Sequence, residues 1–192
     1  MRKLLILLPF LLAALLSCGQ RPGPSPTPQT PPPPGQGLES LTKELLRLPT
    51  EGQAGAVEAE ALYQTTEYFQ ALAQKEGTSF ERYQRDYLDK YLVFSLSLNT
   101  HSVDLSPYQL EALSLLRDGR GRDAQPVRWE EDQGSSSHHR SGRLLFPREG
   151  LDPASGLELV VRDVGGVTER TFRWDGPSLG ELPLDEHEQH HA

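Results

Sequence analysis

The sequence predicts a mainly β fold: a small, immunoglobulin-like antiparallel β-sandwich with a short helical insertion near its start. About six short segments alternate apolar and polar residues, and turn residues separate them without the strand–helix alternation of parallel sheets. Gly accounts for 17 and Pro for 16 of the 192 residues, and hydrophobic residues reach only 36%. This composition indicates one modest core flanked by extended chain.

The first 17 residues have the features of a secretory signal peptide. Arg2 and Lys3 precede an apolar stretch from residue 4 to residue 16. A membrane-spanning helix needs about 20 apolar residues, so we expect cleavage rather than permanent insertion. The mature chain would begin at Cys18, with its domain outside the cytoplasm.

Cys18 is the only cysteine of the chain, so no disulfide can form within it. The tetrapeptide LLSC at 15–18 resembles the lipobox of bacterial lipoproteins, which implies that Cys18 carries diacylglycerol through a thioether. Two or three acyl chains would anchor the protein stably in a membrane, because each buried methylene contributes about 0.8 kcal/mol. Gly19, where Asp would signal retention, implies the outer membrane if the cell has two membranes.

Residues 18–37 are predicted to form a disordered, Pro-rich tether. Eight prolines lie between Pro22 and Pro34, and proline lacks the amide proton that helices and sheets need. An extended polyproline II segment, rising about 3.1 Å per residue, would hold the domain away from the membrane. A ligand for a proline-binding module is the alternative.

A short amphipathic helix is predicted at 38–50, ahead of the sandwich domain at 51–176. The leucines at 38, 41, 45 and 48 recur at helical spacing, and Pro49 would end the helix. Because a helix this short is marginal alone, we expect it to dock on the domain; binding to a partner is the alternative.

A strand at 56–63 and a second helix follow, the helix capped by Thr65 or Thr66 and ended by Gly77. Residues 78–90 read as further helix or as an ordered loop.

The clearest strand covers KYLVFSLSLNTHS at 90–102. Its alternation predicts a core face made of Leu92, Phe94, Leu96 and Leu98. A hairpin is predicted next, with a strand at 113–117, a turn at 118–121 and a return strand through Val127 and Trp129.

Three more strands are predicted, at 143–146, 156–163 and 170–174. Gly165 and Gly166 would form a tight turn or a bulge between the last two. The residues expected to face the core on these two strands are Leu157, Leu159, Val161, Phe172 and Trp174.

Three stretches, NTHSVDL at 99–105, HHRSG at 138–142 and RDVGGVTERTFRW at 162–174, resemble a β-sandwich-like domain of uncharacterised bacterial envelope proteins. The resemblance covers about residues 57–174 and implies fold and location only, so no catalytic residue follows from it. The chain departs from that pattern at Ser135–Ser137, where glycines are expected, and at Thr168, where proline is expected.

Candidate metal ligands lie in the loops and in the tail. His101, Asp104, His138 and His139 carry the imidazole and carboxylate groups that suit Zn²⁺ or Cu²⁺. The alternative is that His138 and His139 are exposed loop residues, while His101 and Asp104 stabilise a turn. Residues 177–192 are predicted to be a disordered acidic tail, in which His187, His190 and His191 could bind metal weakly.

The sequence predicts a protein that is not an enzyme. A hydrolase using Ser135–Ser137 with His138 would also need an orienting group and an oxyanion site. Without Arg2 and Lys3, 17 basic residues face 27 acidic ones, a net charge of −10 that argues against nucleic-acid binding. We therefore expect a lipid-anchored envelope protein whose non-catalytic domain serves structure or binds an envelope protein or polymer, without a cofactor. A Zn²⁺- or Cu²⁺-binding lipoprotein is the alternative.

Overall fold

The computed structural model describes residues 37–176. The predicted signal peptide, the predicted lipidation site Cys18, the predicted Pro-rich tether up to residue 36 and the predicted tail at 177–192 lie outside these residues. Within them, the chain forms two antiparallel β-sheets with a few short helices, so the predicted mainly β fold is confirmed. No helix between residues 37 and 176 is long and apolar enough to cross a membrane.

The first sheet has five strands and the second has four. In spatial order the first contains β1 (Leu46–Arg47), β2 (Val57–Tyr63), β3 (Tyr91–Thr100), β7 (His139–Pro147) and β6 (Arg128–Glu131). The second contains β5 (Asp123–Ala124), β4 (Ser114–Asp118), β8 (Leu157–Val164) and β9 (Val167–Trp174). All neighbouring strands run antiparallel.

The main core lies between the two sheets. The predicted core face of β3 is confirmed, because its four alternating apolar side chains are all buried in this core. Phe94 lies at the centre: its ring stacks on Tyr63 at a centroid distance of 4.8 Å and lies 5.1 Å from Trp174 of the second sheet. Full burial of a side chain of this size contributes about 1.5–3 kcal/mol to stability. The apolar alternation on β3 therefore determines which face of the first sheet packs against the second.

β8 and β9 form the hairpin that the sequence predicts. Their five predicted core residues are all buried in the main core. Val164 pairs with Val167 across a two-residue turn, in which Gly165 and Gly166 have φ angles of 60° and 77°. Two successive residues with positive φ match the right-handed twist of a hairpin, and glycine adopts them without strain.

Helices cover part of the outer face of the first sheet. They are α1 (Leu38–Leu45), α2 (Thr66–Glu76), α3 (Phe80–Tyr83) and a π-helical turn (Gln84–Leu88). Leu41 and Leu45 of α1 pack on Leu62 of β2, so the expected docking of this helix is observed. Thr65 caps α2 by accepting a hydrogen bond from the Tyr68 amide, and Gly77 ends it in the left-handed conformation, as predicted.

The first predicted helix is shorter than expected. It ends at Leu45, and the chain continues as β1, in which Leu46 and Arg47 pair with Leu62 and Ala61. Main-chain pairing with β2 thus replaces the last helical turn. As a result Leu48 is not part of an apolar helix face, and 65% of its surface is exposed.

The predicted hairpin after β3 is wrong in its second half. A short helix, α4 (Leu110–Leu113), precedes β4, and the strand that returns beside β4 is only the two-residue β5. Pro126 then interrupts pairing because it has no amide proton, and the chain crosses to the first sheet, where β6 pairs with β7. Val127, expected within the return strand, is 59% exposed.

Residues 47–53, here called the bridging segment, connect the two sheets at one edge. The Thr50 amide donates to the Thr171 carbonyl at 2.9 Å, and the Gln53 side-chain carbonyl accepts from the Thr171 amide at 2.6 Å. The Arg47 guanidinium donates to the Arg173 carbonyl at 2.9 Å. The bridging segment, which precedes β2 in the chain, diverges from that strand and satisfies main-chain groups of β9. Without these bonds, β9 would be an open sheet edge.

Candidate functional site

The predicted loop histidines lie at one end of the first sheet. The Thr100 amide donates to the His138 carbonyl at 3.0 Å, and the Leu105 amide donates to the Ser137 carbonyl at 2.7 Å. These two bonds place the Ser/His loop beside the loop after β3. The structure therefore brings the backbone of the predicted site together, although its four candidate side chains are all exposed.

Two of the four candidates have side-chain partners from outside the proposed ligand set. The Nδ1 atom of His139 lies 2.9 Å from Oδ1 of Asn99, the residue opposite it on β3. Asp104 Oδ1 accepts a hydrogen bond from the Ser106 amide at 2.9 Å. Hydrogen bonds from the backbone and side chain of Ser106, aided by the nearby His138, lower the pKa of the Asp104 carboxyl. These contacts match the alternative that Asp104 stabilises a turn.

His139 differs from the prediction because it begins β7 instead of lying in a loop. Adjacent residues point to opposite faces only when both lie in a strand. Because His138 lies just before β7, this rule does not separate the side chains of His138 and His139. Across residues 37–176, no group of three or more His, Cys, Asp or Glu side chains is placed to hold a metal ion. The tail candidates at 187, 190 and 191 lie outside the described residues, as does Cys18.

The serine-rich loop next to the histidines is held by local hydrogen bonds. Ser136 Oγ accepts from the amides of His138 and His139 at 3.4 and 3.2 Å. Ser137 Oγ lies 3.4 Å from Nδ1 of His138, and this is the contact that the hydrolase alternative requires. A nucleophile also needs a third group that orients the histidine, and Asn99 contacts His139 instead.

Arg140 connects β7 to β6 and to the loop after β3 at this end of the first sheet. Its guanidinium forms a bidentate pair with Glu131 at 2.7 and 3.1 Å, and it donates to the carbonyls of Leu105 and Tyr108 at 3.0 and 2.6 Å. The hydrogen bond from Arg140 lowers the pKa of Glu131. The cleft beside this pair, about 430 Å³, is lined by Ser106, Glu131, Asp132, Gly134–Ser137 and Arg140.

The sequence did not reveal that two charged residues, Asp118 and Arg170, are buried. Asp118 accepts hydrogen bonds from the amides of Arg120, Arg122 and Asp152 at 2.9–3.0 Å and pairs with the Arg122 guanidinium at 2.6 Å. Burial opposes ionisation of Asp118, but these bonds outweigh it and lower its pKa to about 2. The Asp-Gly-Arg-Gly sequence at 118–121 was the available signal, since Asp commonly accepts hydrogen bonds from the amides of a following turn.

Arg170 is the second buried charge. Its guanidinium donates to the carbonyls of Val164 and Val57 at 2.6 and 3.2 Å, linking β9 to β2 of the other sheet. Its Nε atom has no hydrogen-bond partner among the described residues, and burial lowers its pKa. These contacts join the two sheets, so they assign Arg170 a structural role.

A groove of about 350 Å³ lies between the bridging segment and β2, and its wall is mostly apolar. Leu48, Pro49, Ala54, Gly55, Val57 and Ala59 contribute to it, with Glu51 and Glu58 beside them. No sequence pattern predicted this groove, because it exists only where the bridging segment diverges from β2.

Comparison with known proteins adds no assignment to these surfaces. No protein-family model matches the chain, and no curated protein or solved structure shows significant similarity to it.

Proposed function

We propose that this chain is a lipid-anchored protein of the bacterial cell envelope. The observation that carries the proposal is the order of sequence signals: a positively charged start, an apolar stretch, the LLSC tetrapeptide and a Pro-rich tether. The folded domain begins at Leu38, directly after that tether. An anchor, a spacer and a domain in this order suit a protein that is displayed at a membrane surface.

The sandwich domain serves binding or structure and not catalysis in this proposal. Support comes from the histidine end, where Asp104 and His139 already contact Ser106 and Asn99 through hydrogen bonds. Hydrogen bonds from Ser106 lower the pKa of the Asp104 carboxyl, which makes it a poorer general acid. The partner in this proposal is an envelope protein or polymer.

Metabolic labelling with an alkyne analogue of palmitate tests the anchor in the producing bacterium. We expect the wild-type chain to be labelled and to sediment with membranes, because Cys18 supplies the sulfur for the thioether. Cys18→Ser should abolish both properties. Ser17→Ala is the matched control, since it keeps a small residue before the cysteine and should be labelled normally.

Two results would contradict the anchor. One is equal labelling of the Cys18→Ser variant, and the other is a wild-type chain that is recovered unlabelled in the soluble fraction. Protease added to intact cells or spheroplasts then tests the location, since an envelope domain is accessible from outside the cytoplasm.

A further inference from the structure

Strand β6 is the outermost strand of the first sheet and pairs with β7 on one side only. The amide of Asp132, directly after β6, donates to the Ser141 carbonyl of β7. Because main-chain groups alternate sides along an antiparallel strand, the even-numbered residues of β6 bond to β7. The amides and carbonyls of Trp129 and Glu131 therefore point to the outer edge of the sheet.

This outer edge is exposed and has no partner in the part of the chain that the structure describes. Within residues 37–176, no hydrogen bond engages the main chain of Trp129 or Glu131. Val127 is 59% exposed. Arg128 and Glu131 are also exposed, whereas Trp129 is half-buried because its ring packs against the main core. Unpaired main-chain groups on an exposed strand are a template for pairing with another strand.

The other edge strands of the two sheets offer less main chain for pairing. β1 and β5 contain two residues each, and the bridging segment bonds to β9 at Thr171 and Arg173. Among the strands between residues 37 and 176, β6 thus has the longest edge without a partner.

The charges of β6 determine which strand can pair with it. Charged residues on an edge strand commonly prevent association, but those of β6 differ in sign, and Arg128 and Glu130 form an ion pair at 2.7 Å. Two β6 strands can lie antiparallel with Trp129 opposite its own copy. Arg128 of each copy then faces Glu130 of the other, and such opposite charges across two strands attract. The strand is therefore complementary in charge to itself.

The same register suits the main chain. With Trp129 opposite its own copy, Glu131 lies opposite Val127, so the outward amides of Trp129 and Glu131 meet carbonyls of the other copy. Centring the pair on Glu130 would instead place two glutamates face to face, which is unfavourable. Charge and hydrogen bonding thus favour one register.

We propose that β6 joins two copies of this chain by antiparallel pairing, so that their first sheets form one continuous sheet. The two-fold axis is then perpendicular to the sheet and passes between the two Trp129 residues, which places the outer faces of both copies on the same side. Helix α1, which begins directly after the predicted tether, packs on that face in each copy. Both chains therefore enter their domains from one side, in agreement with the proposed anchor, but the dimer goes beyond that proposal and does not rest on it.

The strength of this dimer is limited by the length of β6. A contact centred on two four-residue strands is smaller than the total area of about 1,200–2,000 Å² that stable complexes bury. We therefore expect a reversible dimer whose fraction rises with protein concentration.

Sedimentation of the purified, full-length protein at a series of concentrations tests the dimer. Detergent in large excess over protein keeps most micelles from holding two chains that are not associated. We expect reversible self-association. Hydrogen exchange at the Trp129 and Glu131 amides should also be slower at high protein concentration than at low, because both amides become bonded in the dimer.

Charge reversal provides matched variants. Arg128→Glu and Glu130→Arg each place like charges face to face and should weaken self-association about tenfold, since both pairs related by the axis change together. An equimolar mixture of the two variants should associate like wild type, because every facing pair again joins opposite charges. Lys75→Glu changes the net charge as Arg128→Glu does, at an exposed position on α2, and should leave association unchanged.

A double variant guards against misfolding of a single one. Glu130 also accepts a hydrogen bond from Tyr87, so Glu130→Arg alone disturbs a contact within the chain. Arg128→Glu combined with Glu130→Arg disturbs it equally but exchanges the two charges, and it should self-associate like wild type.

Three results would overturn the dimer: a monomer at every concentration, an Arg128→Glu variant that associates as tightly as wild type, or slowed exchange confined to segments other than β6. The anchor is judged separately by Cys18 labelling. A dimer without lipidation would overturn the anchor alone, and a lipidated monomer would overturn the dimer alone.

Discussion

At the scale of single residues, the buried carboxylate of Asp118 has the clearest energetic consequence. It accepts hydrogen bonds from three backbone amides and forms an ion pair with Arg122, and its side chain is fully buried. These bonds hold the turn after β4 against the loop at Asp152. An isolated buried carboxylate would be strongly unfavourable, so the surrounding amide donors are what make this residue compatible with the fold.

Asp118→Asn should lower the free energy of unfolding at pH 7 by about 3 kcal/mol, because it removes a buried charge from donors that remain in place. The folded-state pKa of about 2 lies below the ordinary value of 3.8. The stabilisation is therefore present above the ordinary pKa and is lost as pH falls through about 2. Urea titrations of both proteins between pH 2 and pH 7 measure this difference.

Asp123→Asn is the control for that experiment. Asp123 pairs with Arg117 at the surface, with 40% of its side chain exposed, so its loss should be much smaller. A difference between wild type and Asp118→Asn that stays constant down to pH 2 would contradict the assignment.

At the scale of elements, local signals predicted those elements whose ends are set by nearby residues. Helix α2 is an example, because Thr65 and Gly77 mark its ends in the sequence. The β8–β9 hairpin is another, through its glycine pair. Strand β6 could not be assigned to its sheet in this way, since its partner β7 is determined by packing between distant segments. The early start of β7 at His139 likewise depends on pairing with Asn99.

Thr65→Ala should destabilise the protein by about 1 kcal/mol, because the Tyr68 amide loses its capping acceptor. Thr66→Ala, one residue into the helix, should change stability much less. Denaturant unfolding of both variants measures the difference. Equal losses would show that the cap makes no specific contribution.

Gly142→Ala in β7 should destabilise the protein by about 2 kcal/mol, through overpacking. A Cβ at this position would lie 2.3 Å from the Glu130 carbonyl oxygen and 2.7 Å from the Trp129 ring, so β6 would have to shift. Gly37→Ala is the matched control, since a Cβ there meets nothing within 4 Å. Thermal unfolding compares the two, and a Gly142→Ala variant as stable as wild type would contradict the packing.

At the scale of the whole molecule, α1 and the bridging segment connect the start of the domain to both sheets. Leu45 is buried against Leu62, and its carbonyl accepts from the Trp174 indole at 2.7 Å. Leu45→Ala should therefore cost about 2–5 kcal/mol, whereas Leu48→Ala should leave stability nearly unchanged because Leu48 is exposed. Denaturant unfolding distinguishes them, and similar losses would contradict docking of α1.

Metal binding is also a property to test in the whole chain. We expect Zn²⁺ to bind weakly and through the tail, because His139 and Asp104 already contact Asn99 and Ser106. In calorimetric titrations, replacing His187, His190 and His191 by alanine should remove the heat of binding. Replacing His138 and His139 should not, and a loss of binding in that variant would instead support the predicted loop site as a metal centre.

The sequence indicated that His101 and Asp104 follow the end of β3, since alternation shows where that strand stops. That His138 lies beside them follows from the pairing of β3 with β7, which the sequence did not predict. It could not predict that Asn99 and Ser106 supply the partners of His139 and Asp104, because these contacts depend on register and loop conformation. The groove beside β2 could not be predicted from the sequence for a similar reason, because it forms where the bridging segment and β2 diverge.

The hydrogen bonds from residues 47–53 to β9 also determine where the domain can be shortened. A fragment starting at Ala56 would retain β2–β9 but expose the main-chain groups of Thr171 and Arg173, which Thr50, Gln53 and Arg47 now engage. Open strand edges pair with one another between molecules and lead to aggregation. The solubility of the sandwich thus depends on a segment that contributes only one residue, Arg47, to its sheets.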